Sequence, residues 1–183
     1  MSNVVGRAGT LTVLTPILPG QEEELHEYLL EMQQRDQSPF QRVGNTHFAR
    51  WVIIDKLGDD GGSAPRDVLQ SQYLLFTAVF DGTPNHYVES LGAQMIPEAH
   101  EIWGHCVGYP GTQDSAAFRT YLRHNQIDAT LFFAAYPGAS LPDVLQSLAL
   151  REKLIEFAVM AQGLEAQPLY EAYRNTFDSG MSF

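Results

Sequence analysis

The sequence predicts an α+β fold, an antiparallel sheet covered by helices. Three observations carry this. Stretches with strand-like apolar runs and stretches with helical apolar spacing follow one another in the order β-α-β, β-α-α-β, α. The second and third strands are separated only by a polar, Gly-rich loop, so they can pair as a hairpin. The first and second strands, and the third and fourth, are separated by helices, as crossovers require.

The first strand is read at Leu11–Leu18, "LTVLTPIL". Pro16 cannot donate to a ladder, so it suits a strand end or an edge. The stretch "PGQEEELHEYLLEMQQ" follows as a helix. Glu22, Glu23 and Glu24 sit in its first turn, where the helix dipole favours carboxylates. Leu25, Tyr28, Leu29 and Met32 form its apolar stripe. "SPFQRVGN" is read as a loop.

The second strand spans His47–Asp55, "HFARWVIID". Residues 56–67, "KLGDDGGSAPRD", form the connection to the third strand at Gln72–Phe80. Thr83 then caps a helix with Pro84 at its first position and Val88, Leu91 and Met95 on its apolar face. Pro97 breaks this helix, and "PEAHEIWGHC" continues as a second short one. After the "GYPG" turn, Asp114 caps a helix holding Phe118, Tyr121 and Leu122. The fourth strand is placed at Ala129–Tyr136, "ATLFFAAY". Ser140, Pro142 and Asp143 start a C-terminal helix that runs to about Gly163. The domain reading is a single domain over 1–163 and a tail over 164–183 that packs on the domain or on a partner.

This order is the split βαβ, ferredoxin-like pattern βαββαβ, with an inserted helix and an extra C-terminal helix. An antiparallel sheet with one wet face alternates apolar and polar residues. Here Leu74, Phe76, Ala78 and Phe80 lie on one face of the third strand. Tyr73, Leu75, Thr77 and Val79 lie on the other. Both faces call for cover, and helices cover only one. A second sheet in a dimer would cover the other; the rival is the C-terminal helix and tail wrapping over it.

Composition narrows the function. Lys plus Arg number 11 and Asp plus Glu 22, for a net charge of −11. Phosphate backbones and anionic lipid repel such a chain, so neither nucleic acid nor a membrane is an expected partner. No stretch approaches the ~20 apolar residues that span a bilayer. A single cysteine, Cys106, excludes an internal disulfide and any multi-cysteine metal site. The start "MSNVVGRAG" lacks the apolar run of a signal peptide, so a cytoplasmic location is expected.

Arg50 lies in an otherwise apolar strand face and must find a partner or a cavity. One reading gives it an anion, such as a carboxylate substrate. The other gives it an ion pair with Asp81 or Glu98. His105 lies in "IWGHCVGYPG", residues 102–111. A neutral imidazole there is a candidate metal ligand or acid–base group, with Trp103 and Tyr109 shaping a pocket. The alternative is a tight turn at Gly104 and Gly108, with His105 capping backbone carbonyls at the helix end. His100 and His105 stand five apart, which is not the spacing of a helical metal pair. No phosphate loop, dinucleotide fingerprint or nucleophile elbow is present.

The layout over about residues 10–160 resembles the dimeric α+β barrel superfamily. "HFARWVIID", "FDG" and "IWGHCVGYPG" also look like a poorly characterised bacterial group. The superfamily includes monooxygenases of the antibiotic-biosynthesis type and haem enzymes of the dye-decolorising peroxidase and chlorite dismutase groups. The haem motif Gly-x-x-Asp-Gly is absent; "GDDGG" at 58–62 is a loop composition. The resemblance implies a homodimer and a pocket for a small hydrophobic or carboxylated ligand. Haem is the cofactor of several of these enzymes, but the resemblance carries no catalytic residue across. His105 as a ligand or acid–base group, Arg50 on a propionate or other anion, and Trp103 and Tyr109 shaping the pocket rest on their side-chain chemistry alone. The expected protein is a small-molecule-binding, haem-dependent or other redox enzyme. The alternative is a non-catalytic assembly subunit that associates through its apolar sheet face.

Overall fold

The computed structural model describes residues 3–55, 69, 71–111 and 114–178. The chain groups into two compact units, Met1–Ala139 and Ser140–Phe183. The long helix expected within the first domain thus belongs to the second unit.

The first unit is an α+β sandwich of two layers. Its sheet holds β1 (Val4–Val5), β2 (Ala8–Pro16), β3 (Thr46–Ile54) and β4 (Tyr73–Asp81). The spatial order is β1-β2-β4-β3, and every pairing is antiparallel. Five helices join these strands: α1 (Glu22–Gln33), α2 (Phe40–Val43), α3 (Pro84–Gln94), α4 (Ile96–Trp103) and α5 (Ser115–His124). Short α2 replaces part of the loop expected at "SPFQRVGN" and ends at Gly44, whose φ of 81° suits a residue without a Cβ.

Alternation decides the layering. Along β4, Leu74, Phe76, Ala78 and Phe80 are buried, while Tyr73, Leu75, Thr77, Val79 and Asp81 are half-buried. The buried set meets Leu11 and Val13 of β2 and the inner faces of the helices. Leu25 and Met32 come from α1, Tyr87 and Leu91 from α3, Ile102 and Trp103 from α4, and Phe118 and Leu122 from α5. Across the sheet, β3 leaves Phe48 77 % and Val52 39 % exposed.

Caps explain where the helices start. The Thr83 hydroxyl accepts from the His86 amide, with Pro84 at the first helical position. The Asp114 carboxylate accepts from the amides of Ala116 and Ala117. At Pro97 the helical chain divides as expected: α3 ends at Gln94 and α4 begins at Ile96.

The expected fourth strand is not formed. Residues 129–136 join no ladder, because the place beside β2 is already filled. Three short pieces close that edge. Val4 and Val5 pair with Gly9 and Ala8. Leu14 donates to the Asn125 carbonyl, and Ile127 donates to that of Thr12. Val107 donates to the Pro16 carbonyl, and Leu18 donates to that of His105. Continuing past Ile127 would carry the chain into the space of β1. It leaves the edge instead: the Ala129 amide bonds Asn3 Oδ1, and the Pro137 carbonyl accepts from Arg7.

The second unit contains α6 (Leu141–Met160) and α7 (Ala166–Phe177). Ser140 and Asp143 form a reciprocal capping box at the start of α6. The stretch 164–183, expected as a tail, holds the second helix, α7. Phe157 of α6 packs edge-on against Tyr173 and Phe177 of α7. None of the residues of α6 is buried. The expected loop at 56–67 lies outside the described residues.

Candidate functional site

A cleft of about 870 Å³ opens between α1 and the outer strand β3. This size is that of a small-molecule pocket. The lining has two chemistries. Ala49, Trp51 and Ile53 reach it because alternation turns them toward the helix layer, and Phe40 stacks on Trp51 with ring centroids 5.0 Å apart. Leu29 and Met32 supply the α1 side. Polar groups surround this apolar lining: the charged Glu22, Glu23 and Arg35 and the imidazole of His26 from α1 and its end, and Asp55 after β3.

The Arg35 guanidinium lies 5.4 Å from the centroid of the Tyr28 ring. Burial pushes the Tyr28 phenol up, outweighing the opposing pull of that cation. The Trp51 indole nitrogen is buried without a hydrogen-bond partner among the described residues.

Of the residues expected to form a site, only Arg50 lines this cleft. Its Nε donates to Thr77 Oγ1 at 3.0 Å across the strand pair. Both acids proposed as its structural partners are engaged elsewhere. Asp81 bonds His47 Nε2 at 2.9 Å, and Glu98 lies 2.6 Å from Arg42 Nη2. Among the described residues no carboxylate pairs with Arg50.

His105 stands apart from the cleft. Its Nδ1 bonds the side-chain oxygen of Gln21 at 2.8 Å, so the ring ties the end of α4 to the start of α1. Its side chain therefore does not cap the helix carbonyls, although its own carbonyl accepts from Leu18. Gly104 is required because a Cβ there would run into the His100 carbonyl oxygen. Gly108 turns the chain with a φ of 76°.

Trp103 is fully buried, edge-on to Trp51 at 6.2 Å. Tyr109 packs edge-on against Phe118 and Tyr121, its hydroxyl enclosed without a hydrogen-bond partner among the described residues, and burial pushes its phenol up to about 12. Arg50, Trp103, His105 and Tyr109 thus do not converge on one cavity. Their arrangement does not fit a haem plane held between them. Among the described residues no three His, Cys, Asp or Glu side chains come together as a metal site.

His26 and Arg35 are cleft residues that sequence reasoning passed over. The polar side of α1 has the pattern of a solvated helix face. Only the position of that helix over β3 makes it one wall of a cleft.

No protein-family model matches the chain, and neither a curated protein nor a solved structure matches it. Among the described residues no helix is long and apolar enough to cross a membrane.

Proposed function

We propose that the chain binds a small amphipathic molecule in the cleft between α1 and β3. The observation that carries this is the pairing of an aromatic lining, Phe40 on Trp51, with ionic groups of both signs around it. An apolar body would lie on the aromatic surface, and a carboxylate or similar group would meet Arg35 or His26. Anilinonaphthalene sulfonate, which has an aromatic body and one anion, is a direct probe. Saturable binding that is lost in Ala49→Trp, which fills the cleft, supports the reading. Equal binding in the two proteins sinks it.

The narrower form of the reading is a haem-dependent oxidoreductase. Because Arg50, Trp103, His105 and Tyr109 do not surround one cavity, haem would have to enter the cleft itself, and an absorption titration tests this: a Soret band that is lost in Ala49→Trp supports it, and no band in either protein removes it.

The ferredoxin-like dimeric barrel belongs to the same proposal. The side of the sheet away from the helices carries Phe48, Val52, Leu75 and Val79, with Phe48 77 % exposed. A second copy would cover that apolar face, as a second sheet does in dimeric barrels. The same surface serves the alternative of an assembly subunit. Probe binding separates the two, since an assembly subunit keeps its dimer and has no use for the cleft.

A further inference from the structure

Two stretches of this chain hold backbone groups that bond nothing among the described residues. The first is the free edge of β3, which pairs with β4 on one side only. This edge is nine residues long, "THFARWVII", without Pro or Lys; its register shifts between Thr46 and Phe48, and Arg50 is its one Lys or Arg. An edge this lightly blocked templates another strand, most readily along Ala49–Ile54 beyond the shift. The second stretch is 130–135. None of its amides or carbonyls bonds another described residue through the backbone. Its side chains alternate in exposure from Leu131 to Ala135, as an extended chain requires. Leu131 is 87 % and Phe133 80 % exposed.

The two stretches cannot satisfy each other within one chain. Residues 125–129 and Pro137 are bound to β2, to Asn3 and to Arg7, at the opposite edge of the sheet from β3. We infer that a second copy of the chain is the partner: residues 130–135 of one copy add as a strand to the free edge of β3 in another. This rests on the paired reading above and names the strands that make the pair.

Three further observations fit a second copy. Neither stretch contains an Asp or a Glu, in a chain of net charge −11. Like charge would keep copies apart at most other surfaces, and these two are free of it. The segment is anchored at both ends, at Ala129 and Pro137, with bends at Thr130 and Ala135, so pairing has only the short stretch between them to order. Reciprocal exchange between two copies satisfies both free edges at once and closes the assembly. Each copy would then lay apolar side chains along β3, beside the strand residues that line the other's cleft.

Sedimentation velocity over the micromolar range tests this, with hydrogen exchange on the same samples. The wild-type chain is expected to sediment as a dimer, with the amides of 130–135 and of β3 protected. The double variant Leu131→Glu, Phe133→Glu is expected to sediment as a monomer and lose both protections. Both side chains are exposed in the single chain, and circular dichroism checks that the variant folds. Added salt should tighten the dimer, because it screens two acidic chains. A monomeric wild type overturns the inference, and so does a dimer that weakens with salt. A dimer that survives the double variant but is lost in Phe48→Glu also overturns it, while leaving the meeting of sheet faces standing. Probe binding in the cleft is read separately, through Ala49→Trp.

Discussion

The sulfur of Cys106 lies 3.4 Å from the hydroxyl oxygen of Thr15, deep between β2 and the turn that ends α4. Tyr121 stands beside both groups. This is the only thiol of the chain, and it is buried. Burial pushes it up to about 11, which the Thr15 hydroxyl only partly offsets. The thiolate is the reactive form, so Cys106 is expected to be inert in the folded protein. Dithionitrobenzoate near pH 8 should label it slowly in buffer and fast in urea. Rapid labelling in buffer would show that the core opens there.

The same burial makes the protein sensitive to alkali. Cys106 is raised to about 11, and Tyr87 and Tyr109 to about 12, all mainly by desolvation. Each group holds its proton longer in the folded chain than in the unfolded one. Their contribution is therefore complete below the unfolded values, near pH 9 for the thiol and pH 10 for the phenols. It is lost as pH rises through the folded values. Urea midpoints should fall from about pH 9 upward, and Cys106→Ala should delay the onset of that fall.

Gly6 and Gly44 separate room from conformation. Both have positive φ, 63° and 81°. A Cβ at Gly44 meets nothing, whereas one at Gly6 runs into the carbonyl of Pro137. Gly44→Ala should cost about 1 kcal/mol, the left-handed penalty alone. Gly6→Ala should cost clearly more, upward of about 2 kcal/mol, because the clasp on Pro137 must also shift. Equal urea midpoints for the two variants would contradict the close approach.

Glu98 is 7 % exposed, and its one ion-pair partner among the described residues is Arg42, half-exposed at 2.6 Å. The contact is ionic and not aligned as a hydrogen bond. The Nε of Arg42 also donates to the Gln94 carbonyl at 3.1 Å, tying α2 to the end of α3. Arg42→Ala leaves a buried carboxylate alone and should cost ~1–3 kcal/mol. Adding Glu98→Gln to that variant should recover part of the loss. A double-mutant cycle showing no coupling would remove this pairing as a source of stability.

Much of the fold was legible. The apolar runs at Leu11–Leu18, His47–Asp55 and Gln72–Phe80 each became a strand within a few residues of the expected bounds, and Thr83, Asp114 and Ser140 each cap a helix. "ATLFFAAY" misled because strand propensity describes what suits a sheet, not whether a place in it is vacant. The place beside β2 went to Val4 and Val5, a two-residue strand too short to recognise. The helix α7 lies in the stretch expected as a tail, although Leu169, Tyr173 and Phe177 recur at helical spacing. The cleft was less legible still. Trp51 was seen only as a strand residue, and His105 drew notice for its neighbours in sequence. Its actual partner, Gln21, is 84 residues away.

The two indoles of this chain, Trp51 and Trp103, meet edge-on at 6.2 Å, and the sequence holds no others. One lines the cleft and the other is sealed in the core. They therefore act as a coupled pair of chromophores, and neither emits independently of its neighbour. The tryptophan emission of the protein comes from a single place, the boundary between cleft and core. An event elsewhere on the surface would leave that signal unchanged, and occupation of the cleft would alter it without any added label.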